Sequence, residues 1–217
     1  MSRAVGRPRT ARQHGYTAVE LLMAISVFGI GVAGIISMEK VTSASNQHAK
    51  NLAIATHIAE SWLDTLAVDA AVWNHPSPGF TRDDLGDTVW LSNVVSNAGA
   101  GSWFLPSYSG PLAFGPGFDA LGNPVDTTTS TAGVQFCAHL RLSWLYQPPP
   151  GLDTGNGLIR AEVRVFWLRD GQASPIAGGN PCDSAMVAPL NAMTPQVASS
   201  TFHFVQKITA IRENMKP

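Results

Sequence analysis

The chain has 217 residues, which is enough for one compact domain with its own core and an additional segment. Its 14 Lys and Arg nearly balance its 15 Asp and Glu, but four of the arginines precede Gly15, where no acid occurs. The remainder carries 10 basic and 15 acidic residues, a formal charge of −5. This balance argues against a nucleic-acid partner, because phosphate binding needs clustered Lys and Arg.

The first predicted element is a basic leader, residues 1–15, followed by a long apolar helix over residues 16–38. From Leu21 to Met38 the chain has no charged residue over 18 positions. As an α-helix this run would cover about 27 Å, close to the hydrocarbon thickness of a bilayer. The leader supplies the positive charge of the N-terminal side, from Arg3, Arg7, Arg9 and Arg12. Such a leader stays in the cytoplasm, so we expect the rest of the chain outside it.

Two other interpretations of this segment are a secretory signal peptide and a simple signal anchor. The first would have a shorter apolar run and a small-residue cleavage site, whereas Glu39 and Lys40 follow Met38 here. The second stays open but leaves Glu20 unexplained. An acid in an apolar helix costs up to about 3 kcal/mol at the bilayer centre, less near the interface, and is a candidate functional residue.

The segment Gly15-Tyr16-Thr17-Ala18-Val19-Glu20, followed by Leu-Leu-Met-Ala-Ile, resembles the processing site of type IV prepilins. The resemblance implies that a prepilin peptidase cleaves after Gly15 and that Tyr16 becomes the N-methylated N-terminus. The family usually has Phe at the position of Tyr16, so the aromatic ring is retained. Glu20 would then be the acid at mature position five, which pairs with the terminal amine of a neighbouring subunit and sets the register between subunits.

The helix is predicted to continue as an amphipathic segment over residues 39–73. Apolar residues recur there at steps of three and four, which indicates one packing face. The helix should end between Val68 and Trp73, because the next residues, Asn74 to Gly79, break helices. The predicted stripe consists of Val41, Ala44, Leu52, Ala55, Ile58, Ala59, Trp62 and Leu66.

Residues 74–132 are predicted to form a long irregular insert, with short strands near Val89–Leu91 and Ser102–Phe104. We expect its aromatic side chains to pack in the core, and a contact surface for other subunits is the alternative. They are Trp90, Trp103, Phe104, Tyr108, Phe114 and Phe118.

Residues 133–217 are predicted to form an antiparallel β-sheet. Apolar and polar residues alternate over 134–146 and 159–167, and a third strand is expected over 201–208. One apolar sheet face against one apolar helix stripe predicts a two-layer α+β domain. This is the type IV pilin-like fold that the N-terminal resemblance implies.

The chain has two cysteines, Cys137 and Cys182, which lack the spacing of a zinc site. Outside the cytoplasm a disulfide that ties the second cysteine's loop to the sheet is the simplest interpretation, and two buried thiols are the alternative. We find no catalytic motif and expect neither an enzyme nor a cofactor. The acidic segments 83–87 and 153–157 are interpreted as solvated turns rather than calcium loops.

The strand Val163-Arg164-Val165-Phe166-Trp167 resembles the corresponding strand of PilV-type minor pilins. The resemblance implies a low-abundance subunit that primes pilus assembly or forms the pilus tip. Its partners would be the prepilin peptidase, other major and minor pilins, and the bacterial inner membrane before assembly. A minor pseudopilin of a type II secretion system, and a signal-anchored binding domain or enzyme, remain as alternatives.

Overall fold

The structure is a computed structural model that describes residues 15–73, 84–96, 101–147, 157–169 and 182–213. The chain divides into two compact units, Met1–His48 and Ala49–Pro217. The helices are α1 (Ala18–Asp69), α2 (Asn93–Ser96), α3 (Val187–Ala192) and α4 (Pro195–Thr201). The strands are β1 (Gly117–Phe118), β2 (Pro124–Val125), β3 (Phe136–Tyr146), β4 (Leu158–Leu168) and β5 (Phe202–Arg212). Two 3-10 turns lie at Asp84–Asp87 and Ser184–Met186.

The sheet is antiparallel throughout, with strand order β2-β1-β3-β4-β5. Leu140 lies opposite Val163, which in turn lies opposite Lys207. The three strands predicted from alternation are confirmed as β3, β4 and β5, each of 11 residues. Together with the long helix they make this an α+β protein.

The core of the second unit lies between α1 and the sheet. Ala55, Ile58, Ala59, Trp62 and Leu66 are at most 1% exposed and pack with alternate residues of β3 and β4. This part of the predicted stripe is confirmed, as is the end of α1 at Asp69. The stripe was predicted to begin too early, because Val41 is 70% and Leu52 43% exposed.

The predicted two-layer architecture is incomplete, because part of the opposite face of the sheet is covered as well. Cys137, Phe166 and Phe202 on that face are buried in a second apolar cluster. Met186 and Leu190, from the segment that contains α3, complete it. Strands β3 and β4 are therefore buried on both faces at this end, which makes their sequences less cleanly alternating than those of half-exposed strands.

The insert packs against α1 through aromatic rings, as predicted for Trp90, Phe114 and Phe118, whereas Trp103 and Tyr108 belong to neither apolar cluster. Trp90 and Phe118 are at most 1% exposed, and Phe114 is half-buried against the same cluster. The Trp62 ring meets Trp90 and Phe114 edge-to-face, with centroids 5.3 and 4.8 Å apart. Such pairs stabilise a core beyond the area they bury.

The local structure of the insert differs from the prediction. The predicted strand at Val89–Leu91 is a bend, and Ser102–Phe104 contributes only a bridge between Phe104 and Leu140. Both carboxylate oxygens of Asp69 accept backbone hydrogen bonds here, from Val89 N–H at 2.8 Å, Trp90 N–H at 2.9 Å and Leu91 N–H at 3.0 Å. These amides are satisfied by a side chain at the end of α1, so they need no strand partner.

Candidate processing and assembly site

The predicted cleavage site lies outside the helix. Gly15, Tyr16 and Thr17 are non-helical, and α1 begins only at Ala18. The Tyr16 side chain is 85% exposed. The peptide bond between Gly15 and Tyr16 is therefore accessible, whereas a bond within α1 would first require helix unwinding before a protease could bind it.

Thr17 caps the first turn of α1. Its hydroxyl accepts a hydrogen bond from the Glu20 backbone N–H at 3.3 Å, and its carbonyl accepts one from Leu21 N–H at 3.2 Å. Thr followed three residues later by Glu is the spacing of a capping box. The sequence analysis missed this cap of the Glu20 backbone N–H by Thr17, although the Thr-x-x-Glu pattern is present in the sequence. Its negative charge also lies at the favourable end of the helix dipole.

Among the described residues, nothing gives Gly15 a steric reason to be glycine. A Cβ built on Gly15 would meet no atom within 4 Å, and its φ lies outside the left-handed region. The same openness holds for the three glycines inside the apolar helix, Gly29, Gly31 and Gly34. In a helix interior each glycine costs about 1 kcal/mol relative to alanine. Nothing in the fold of the described residues accounts for these four positions.

The apolar half of α1 leaves its side chains exposed. Leu22 is 65%, Phe28 73% and Ile30 76% exposed, and none of its apolar window is buried. By length and composition α1 can cross a membrane, and it is the one such helix in the described part of the chain. The hydroxyl groups of Ser26 and Ser37 donate to carbonyls of the preceding turn, at 2.8 and 2.9 Å. Polar side chains satisfied in this way suit an apolar environment.

The predicted disulfide is present. Cys137 in β3 and Cys182 before α3 are bonded, with Cα atoms 5.2 Å apart and a sequence separation of 45. Both are buried beside Phe166 and Leu190. Closing a loop of this length stabilises the fold by roughly 4 kcal/mol in the chain-entropy model. The bond holds the α3 segment on the sheet, so the second apolar cluster depends on it.

His139 and Arg164 form a buried pair on the same face of the sheet as the disulfide. The sequence analysis did not predict this contact. His139 is fully buried and Arg164 is 8% exposed. An N–H of the Arg164 guanidinium lies 2.9 Å from His139 Nδ1 and donates to it, and another contact of 2.8 Å reaches Asn191 Oδ1. Burial, and next the charge of Arg164, lower the pKa of His139 to about 3. Burial, and next the charge of Arg141, lower the pKa of Arg164 to about 10.

No group of three or more His, Cys, Asp and Glu side chains in the described ranges could hold a metal ion. The first acidic segment is described only in part, as the 3-10 turn at Asp84–Asp87. Asp153 and its neighbours, and the four arginines of the leader, lie outside the described residues.

Neither a family model, nor a curated protein sequence, nor a solved structure matches this chain. What is established is an α+β protein with one disulfide and one N-terminal helix long and apolar enough to span a membrane.

Proposed function

We propose that this chain belongs to the class of filament subunits with a type IV pilin-like fold, made as a membrane-inserted precursor. The observation that carries the proposal is the order of features at the N-terminus. An exposed, non-helical Gly15-Tyr16 bond precedes a capped helix with Glu20 in its first turn and an uninterrupted apolar surface beyond it. An apolar surface of this size is unfavourable in water, so it belongs in lipid or against other helices.

Within that class, the chain acts as a minor subunit of a type IV pilus that helps to start assembly or forms the tip. The insert between α1 and β3 contributes β1 and β2 to the edge of the sheet, and its half-buried Trp103 lies beside Arg141 and Arg164 at the surface of the domain. Such an insert adds surface to one subunit without changing the helix that all subunits share. Prepilin peptidase, other pilin subunits and the inner membrane are the partners of this proposal.

Replacement of Gly15 by Val tests the proposal. A Cβ at Gly15 meets no atom of the described residues, so the variant should fold and insert normally but resist cleavage. Gly29→Val is the matched control, because a Cβ there is equally unhindered but the site lies inside α1. We expect N-terminal sequencing to find Tyr16 first in the wild type and the control, and the intact leader in Gly15→Val. A wild-type chain that stays uncut, or that is cut after Met38, would contradict the proposal.

A further inference from the structure

The outer face of the sheet, opposite α1, carries three arginines whose charge is not balanced within the described residues. We call Arg141, Arg160 and Arg164 the arginine patch. Across these strands the residues facing α1 include Leu140, Leu142 and Ile159, so the alternate positions point to the opposite face. Arg141 comes from β3, and Arg160 and Arg164 from β4.

One buried carboxylate holds two of the three guanidinium groups. Glu162 is 3% exposed and pairs with both Arg141 and Arg160, the latter through Nε at 2.7 Å. Gln206 on β5 donates to the same carboxylate at 2.9 Å. Since Glu162 accepts hydrogen bonds from Arg141 and Gln206 and forms an ion pair with Arg160, the two arginines are held near the same carboxylate. Their side chains remain 32% and 43% exposed, so a ligand can reach them.

The third arginine, Arg164, adds a positive charge, and its recorded hydrogen-bond partners are not carboxylates. Arg164 contacts neutral acceptors, His139 and Asn191, and lies 4.5 Å from the Trp103 ring centroid. Arg141 lies 4.7 Å from the centroid of the same ring, so both guanidinium groups make cation–π contacts with Trp103. In the described ranges Glu162 is the one carboxylate paired with the patch, which leaves three positive charges against one negative charge. This local excess contrasts with the charge of −5 on the chain beyond its leader.

We propose that the arginine patch binds a carboxylate-bearing segment of a neighbouring subunit in the filament. Guanidinium groups held in a fixed arrangement are suited to carboxylates, because each can donate two parallel hydrogen bonds. An acidic segment neutralises the excess charge, and the half-buried Trp103 beside it offers a flat apolar contact. The identity of the partner rests on the proposed function, whereas carboxylate binding by the patch does not.

The test uses the full-length chain in a nonionic detergent and a fluorescein-labelled hexaglutamate peptide, with hexaglutamine as the neutral probe. Binding is measured by fluorescence anisotropy. The first variant is Arg160→Gln. The second combines Arg141→Gln, Arg160→Gln and Glu162→Gln, so that no buried carboxylate is left without a cation. Lys207→Gln is the control, because Lys207 pairs with Glu60 on the helix-facing side. Each of these three changes lowers the net charge by one, so overall charge does not distinguish them.

We expect hexaglutamate to bind the wild type and the control within twofold, about threefold more weakly to Arg160→Gln and about tenfold more weakly to the triple variant. Thermal unfolding confirms that each variant is folded. Equal binding by the wild type and a folded triple variant would overturn the proposal, as would equal binding of hexaglutamine. Displacement of the peptide by inorganic phosphate far more readily than by acetate, at matched ionic strength, would overturn the assignment to carboxylates. The readout does not depend on cleavage after Gly15, so failure of the proposed function would be seen separately.

Discussion

At the scale of single residues, His139 shows how burial decides a protonation state. Its Nδ1 accepts a hydrogen bond from Arg164, which requires the neutral imidazole with its proton on Nε2. Protonation would place a second positive charge beside a guanidinium in a buried site. The pKa of about 3 follows from that arrangement.

Acid should therefore destabilise the folded protein through His139. The folded pKa is below the unfolded value, so the unfolded chain takes up the proton first as the pH falls. The stability from this group is complete above about pH 6.5 and declines by up to about 1.4 kcal/mol per pH unit below it. His139→Asn keeps an acceptor near the position of Nδ1. In this variant the free energy of unfolding, measured by urea denaturation, should depend less on pH between about pH 6 and 4. The exposed His57→Asn is the control, and parallel profiles for the wild type and His139→Asn would contradict the expectation.

At the scale of elements, the end of α1 organises the start of the insert. An acid near a helix C-terminus is unfavourable by roughly 0.3–1 kcal/mol because of the helix dipole. Asp69 nevertheless lies there, buried, and accepts three backbone hydrogen bonds from the bend at Val89–Leu91. These hydrogen bonds offset the unfavourable interaction of Asp69 with the helix dipole. They also place Trp90 against Trp62.

Asp69→Asn should destabilise the contact between the end of α1 and the start of the insert. An amide offers one acceptor oxygen and turns a donor toward backbone N–H groups, so at least one buried amide loses its partner. We expect a loss of about 2–3 kcal/mol in unfolding free energy, measured by urea denaturation. Asp64→Asn, on the same helix but exposed, should change it by less than about 0.5 kcal/mol. Similar losses in the two variants would show that Asp69 does not hold the insert.

The elements that sequence patterns predicted correctly are those governed by periodicity. Alternation located β3, β4 and β5, and steps of three and four located the buried face of α1 around Trp62. The elements that were missed depend on distant partners. Val89–Leu91 has strand-forming residues, yet its amides bond to a carboxylate 20 or more residues away. Likewise, the covering of Phe166 depends on the α3 segment that the disulfide holds in place.

At the scale of the whole molecule, Glu20 has two possible roles that a set of substitutions can separate. Thr17-x-x-Glu20 has the spacing of a capping box, in which a Glu or Gln side chain supports the first turn of the helix, and in a filament Glu20 would pair with the terminal amine of a neighbour. Gln serves the first role but carries no charge, whereas Ala serves neither. The two variants therefore distinguish local capping from pairing between subunits.

If pairing between subunits sets the register, Glu20→Gln and Glu20→Ala should both be inserted and cleaved but poorly incorporated into filaments. We expect at least a tenfold lower ratio of sheared filament protein to cleaved membrane protein. Glu39→Gln, at an exposed position of the same helix, is the control. Incorporation of Glu20→Gln at the wild-type level would assign Glu20 to capping alone.

The position of β5 as the last described strand in chain order has a consequence for biosynthesis. The apolar face of α1 around Trp62 leaves the ribosome more than a hundred residues before Phe202, the first residue of β5. At about 5–20 residues per second, that interval lasts on the order of ten seconds. Until β5 has been translated, the whole length of β4 lacks the neighbour that covers one of its edges. We therefore expect a chain truncated between Leu168 and Phe202 to expose this edge and to aggregate.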